Sequence, residues 1–112
     1  MIYHITSSSA WVEAQRTGIY EPLSLTVEGF IHLSTREQTL STAARYYAAA
    51  SDLVLLAVNE SVLASELRWE APPDPAREHE RYPHLYGPLR ASEVVDARPF
   101  GRNDADEFAF PY

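Results

Sequence analysis

Apolar and polar positions alternate over IYHIT, residues 2–6, and a two-residue period of this kind marks a strand with one buried face. A serine of the run at residues 7–9 caps the helix that follows, and Gly18 stops it. Residues 19–29, IYEPLSLTVEG, hold no period and include Pro22, so they read as a loop with a short strand around residues 18–20. FIHLS, residues 30–34, is a compact second strand. Beyond it Ser34 and Glu37 stand at the spacing of a capping box. Leu40, Ala43, Ala44 and Tyr47 then recur at i, i+3, i+4 and i+7 on one helical stripe, with Arg36 and Arg45 turned away.

DLVLLAV, residues 52–58, is the most apolar stretch and reads as a central strand buried on both faces. Asn59 caps a short helix through ESVLASEL. LRWEA is a strand with Leu67 and Trp69 on one face and Arg68 and Glu70 on the other, ended by Pro72 and Pro73. PPDPAREHERYP is a long polar loop, HLYGPL a short strand broken by Gly87 and Pro88, ASEVV a turn and VVDARPF a last strand. The pattern predicts an α+β fold: one domain, residues 1–100, whose two main helices cover a curved, mostly antiparallel sheet. Residues 101–112 form a loose acidic tail in which Phe108 and Phe110 are the residues able to dock.

Composition narrows the chemistry. The chain has 112 residues, 46% of them apolar, and buries roughly two-thirds of its unfolded surface, enough for one core. It contains no cysteine, which excludes disulfides, thiolate catalysis and sulfur-ligated zinc. The net charge of −7 sits mainly in residues 51–112, where twelve acids face six arginines, and this repels a phosphate backbone, so general nucleic-acid binding is not expected. All nine basic residues are arginine, so lysine Schiff-base chemistry is excluded. No segment is apolar enough for export or for a membrane, and a cytoplasmic protein is the expectation.

Three of the four histidines lie in predicted strands among apolar neighbours: His4, His32 and His84. The fourth, His79, falls in the polar loop and reads as solvated. Each strand histidine alone reads as a packed ring satisfied by one hydrogen bond. Three in one small core would leave polar groups costing roughly 1–3 kcal/mol each without partners, so a shared polar cleft is the economical alternative. Glu70 stands either on the strand surface or in that cleft. No continuous metal motif and no G-x-S-x-G elbow occurs.

Taken together, IYHIT, EGFIHLST, RWE and PHLYGPL resemble a small, uncharacterised bacterial domain-of-unknown-function family, over residues 2 to about 99. That family is grouped with the ADP-ribosyltransferase-like superfamily, whose split sheet binds NAD. The resemblance implies that His4 bonds a ribose hydroxyl and that His32 stands where a tyrosine stacks on nicotinamide. His84 occupies the place of a glutamate that steadies a ribose cation, and Glu70 is the carboxylate able to substitute from a neighbouring strand. A phosphate-handling variant would use Arg36, Arg81 and Arg90, with the helix start after Ser34 as a phosphate seat.

The resemblance therefore implies a nucleotide-pocket protein for NAD, ADP-ribose or a ribose phosphate, with ADP-ribosyl- or phosphotransferase-like activity. His4, His32, His84 and Glu70 are the candidate catalytic residues. Thr6, Ser34, Thr35, Arg36, Tyr86 and Arg81 are the candidate substrate contacts. A non-catalytic binding module and a metal-assisted hydrolase built on the three histidines and Glu70 are the alternatives.

Overall fold

The computed structural model describes residues 1–112. The first strand, β1 (Ile2–Ser7), leads directly into helix α1 (Ser8–Thr17), where the Ser7 hydroxyl accepts from the Ala10 amide and Gly18, at φ +86°, closes the C-terminus. A left-handed residue at this position favours glycine, which has no Cβ to clash. The two-residue strand β2 (Ile19–Tyr20) follows. The expected loop after it holds a single short helix, α2 (Leu23–Val27). Pro22 begins that helix rather than breaking it, because a proline at the start of a helix has no amide to satisfy and its fixed φ already suits the turn.

Strand β3 (Ile31–His32) precedes α3 (Arg36–Tyr46). The capping box forms one residue later than the sequence predicts, between Thr35 and Gln38, because Ser34 is engaged elsewhere. Its amide and carbonyl both pair with Tyr3 at 2.8 Å, in a bridge that joins β1 to the end of β3. The stripe on α3 also differs: Thr39 and Ala43 are the buried positions, whereas Leu40 and Ala44 are exposed. Thr39 can be buried because its hydroxyl donates to the Thr35 carbonyl at 2.8 Å, so a residue counted as polar enters the core satisfied.

Strand β4 (Leu53–Val58) is buried throughout and lies between β1 and β8 (Val94–Phe100) in a three-stranded antiparallel sheet. Val54, Leu56 and Val58 enter one core cluster, and Leu53, Leu55 and Ala57 another, so both faces of this sheet are covered. A second sheet has the order β3, β6 (Tyr82–Tyr86), β5 (Glu66–Glu70), again antiparallel, and β2 pairs with β7 (Leu89–Arg90). The expected single curved sheet is thus divided into three pieces, and the Tyr3–Ser34 bridge joins the first to the second. The expected helix after Asn59 is one 3-10 turn, Glu60–Val62.

The long loop is shorter than expected, since Tyr82 and Pro83 already belong to β6, and it holds one 3-10 turn, Pro75–Arg77, that is pinned. Arg77 reaches the hydroxyls of Tyr46 and Tyr82 at 3.3 and 3.1 Å. The tail, expected to be loose, is docked through Phe108, Phe110 and Tyr112 against Phe100 and Tyr3. No helix is long and apolar enough to cross a membrane.

Candidate functional site

Parity along the strands decides where each histidine goes. In β1, His4 and Thr6 share a face with Ile2, which belongs to the core between the two large sheets. In β3 and β6 the residues facing that core are Ile31 and Leu85, which are cross-strand partners. His32 and His84, also partners, therefore project from the opposite face. The backbone of β3 stands between the first histidine and the other two.

His4 is buried and uses both ring nitrogens inside the protein. Nδ1 is 2.6 Å from the His32 carbonyl and Nε2 is 2.7 Å from the Tyr20 hydroxyl, which lies 2.9 Å from Thr6 Oγ1. A carbonyl only accepts, so Nδ1 carries the proton. Burial pushes the imidazole down to about 4, against the favourable His32 contact, and leaves Nε2 a bare acceptor at pH 7. Burial likewise pushes the Tyr20 hydroxyl up to about 12. The His32 carbonyl is available because the neighbouring pair, Leu33 with Pro83, carries the bond to β6, and carbonyls in such a ladder alternate in direction. His4 thus fastens the free edge of β3 across the division between the sheets.

The outer face is different. His84 Nδ1 donates to Glu70 Oε1 at 2.9 Å, and the Tyr86 hydroxyl donates to the same oxygen at 2.6 Å. These two bonds, Tyr86 the stronger, hold the Glu70 carboxyl below its ordinary range, and the same contact raises Tyr86. Phe30 stacks on the His84 ring, with centroids 4.1 Å apart and planes at 21°, and also touches His32 and Tyr86. His32 is half-exposed, lies 5.4 Å from the His84 ring and donates through Nε2 to Glu28 at 2.9 Å. Arg68 lies over the Tyr86 ring at 4.3 Å and pairs with Glu66.

Because Nδ1 of His84 is committed to a carboxylate, Nε2 is the free nitrogen, and it forms no hydrogen bond within the chain. No buried polar side-chain atom lacks a partner, so that nitrogen keeps some contact with solvent although the ring as a whole is buried under Phe30. A carboxylate fixing one imidazole nitrogen while the other faces outward is the arrangement by which a histidine serves as acid, base or ligand.

Among the sequence candidates, then, the structure gathers His32, His84, Glu70 and Tyr86 on one face, and places His4 and Thr6 behind it. Ser34 is buried in the bridge to Tyr3, and Thr35 caps α3. Arg36 lies over the Phe110 ring at 4.2 Å, and Arg81 bonds the carbonyls of Glu78 and Glu80 in its own loop, so neither guanidinium reaches the imidazoles. Phe30, Glu28 and Arg68 were not predicted. Their signal was available: Phe30 stands two residues before His32 and Arg68 two before Glu70, hence on the same strand faces. Tyr20 gave no such signal. No three histidine or carboxylate side chains are arranged to hold one metal ion. Two grooves, of about 420 and 650 Å³, lie elsewhere, one between α3 and the tail and one along α1 that reaches Thr6 and Tyr20.

The fold is similar to that of protein CC0527 from Caulobacter crescentus. Its crystal structure superposes with a TM-score of 0.83 at 37% sequence identity, covering 96% of this chain and 92% of that one. Its solution NMR structure gives 0.80 at 37% identity, covering 95% and 89%. No curated relative matches the chain. Residues 5–97 match the family described as a protein of unknown function, DUF952, and with that match spanning β1 to β8 the chain belongs to the DUF952 family.

Proposed function

We propose that the outer face of β3, β6 and β5 binds an ADP-ribosyl compound, with NAD the candidate substrate, and cleaves or transfers it at the anomeric carbon. The observation that supports this most is the Glu70 carboxylate, held ionised by Tyr86 and His84 beside an outward-facing imidazole. A fixed negative charge of this kind offsets the positive charge that develops on a ribose as its glycosidic bond breaks. In this reading the leaving base departs with the bonding pair, a water or acceptor oxygen adds to the anomeric carbon, and His84 Nε2 takes its proton. Phe30 and His32 supply flat surface for the base. His4 positions rather than touches: it holds the carbonyl of His32 and so the height of β3.

Thermal stability over a panel of NAD, ADP-ribose, AMP and ribose 5-phosphate tests the reading. A compound present at 100 times its Kd adds about 2.7 kcal/mol to stability, and Glu70→Gln and His84→Ala should each remove that gain. If no member of the panel stabilises the domain, the reading fails.

A second reading, a binding module without turnover, is favoured by one feature. The imidazoles line neither groove described above, and a site outside an enclosing groove is poor at excluding water from a reacting centre. Stabilisation by ADP-ribose with no consumption of NAD over hours would select this reading.

A further inference from the structure

We infer that residues 101–112 are an exchangeable strap: the apolar bed they cover on one copy of the chain accepts the same segment from a second copy, joining the two. The bed belongs to the domain proper. It is formed by Tyr3, Ile5, Leu55, Ala57 and Phe100, on the face of the β1–β4–β8 sheet away from the histidines. The family match ends at residue 97 and β8 at Phe100, so the strap is a separate piece laid on a finished sheet.

The strap is gripped through every second side chain. Phe108 packs on Phe100 at 5.1 Å, Phe110 meets the Tyr3 ring edge-on at 5.1 Å, and the Tyr112 hydroxyl donates to the carbonyls of Leu55 and Asp96 at 2.5 and 3.1 Å. Each ring is covered by a guanidinium from outside the segment 108–112: Arg102 over Phe108, Arg36 over Phe110 and Arg98 over Tyr112, at 4.2, 4.2 and 4.5 Å. Alternate anchors on an extended segment are the way a sheet surface reads a peptide. All three arginines and the whole bed lie before the turn, and all three rings lie after it.

That turn is the hinge. It runs from Asn103 to Glu107, is exposed, and is closed by the Asn103 amide on the Glu107 carbonyl at 2.8 Å, with the Asn103 side chain accepting from the Ala105 and Glu107 amides. Asp106 sits there at φ +59°, a left-handed conformation that is strained for a residue with a Cβ and that opening the turn releases. Exchange between copies requires no new contact, since every bed contact is already made within one chain and the hinge alone changes. The closed monomer is the dilute form, and the exchanged dimer gains with concentration.

Deleting Asp104–Asp106 joins Asn103 directly to Glu107, two residues whose Cα atoms are then about 3.8 Å apart, too close for the chain to reverse onto its own bed. Light scattering should find this variant dimeric at low micromolar concentration, at least tenfold tighter than the parent. Adding Phe108→Ala, Phe110→Ala and Tyr112→Ala should return it to monomer. A folded but monomeric deletion variant, or a dimer that survives loss of the three rings, would overturn the proposal. Should the deletion variant not fold, two point changes decide the matter at 1 mM: Asp106→Gly should lower the dimer fraction severalfold and Asp106→Val raise it. An equal fraction in both, or no dimer in either, would refute exchange.

Discussion

His4 and His84 stand on opposite sides of one two-residue strand, and they have been put to opposite uses. The inner ring has two partners, one on each nitrogen, and a proton affinity lowered by burial to about 4. The outer ring has one partner, a carboxylate, and a nitrogen left over. Both residues lie in strands among apolar neighbours, so local sequence does not separate them. What separates them is parity relative to the core: His4 shares a face with Ile2, whereas His84 shares one with Tyr82 and Tyr86 while Leu85 turns inward. An imidazole on the inner face must be satisfied within the protein, and one on the outer face is available for chemistry.

The comparison is broken most severely by His4→Ala. It leaves the His32 carbonyl without its side-chain partner, takes one of two partners from the Tyr20 hydroxyl and opens a cavity, so stability should fall by about 3–5 kcal/mol, or roughly 10–20 °C in Tm. Urea denaturation measures this.

Acid should do nearly as much by titrating the same ring. The unfolded chain takes up the proton near 6.5 but the folded chain only near 4, so between these values the unfolded state binds the extra proton and stability declines as pH falls. The loss should total about 3 kcal/mol by pH 4. Glu70, whose carboxyl is held below its ordinary 4.5, adds to the loss only in the lower part of this range and beyond. Denaturation curves from pH 7.5 to 4 should flatten in His4→Gln, because an amide can donate to the His32 carbonyl and carries no group that titrates in this range.

Tyr20→Phe removes the hydroxyl that pairs with both His4 Nε2 and Thr6 Oγ1 and should cost about 1–2 kcal/mol. On the outer face the same kind of change is expected to be mild: Glu70→Gln should leave stability nearly unchanged and His32→Ala should alter it by less than about 0.5 kcal/mol, since both side chains are partly solvated. A large loss from either would show that the outer residues also hold the fold.

Much of this architecture was legible. Strand β4 was readable from an unbroken apolar run, β5 from the alternation of Leu67, Arg68, Trp69 and Glu70, and α1 from its caps. The histidines were readable as strand residues, but which of them share a side was not, because strand parity fixes faces within one strand and the register between β1 and β3 is set by the distant Tyr3–Ser34 bridge. That bridge also explains the shifted cap on α3, since Ser34 cannot serve both. In the tail, Phe108 and Phe110 were readable as docking residues, but Tyr112 was not, because its partners are the carbonyls of Leu55 and Asp96 far away in the chain, and the acidic turn dominates the local composition.

The central claim is that ligand chemistry belongs to the outer face and that His4 is a fastener. Titrating the protein with ADP-ribose while following the ring C–H signals of its four histidines by NMR tests this directly. The account predicts that His32 and His84 shift together and saturably while His4 and His79 stay in place. A saturable shift at His4 with His32 and His84 unmoved would contradict it.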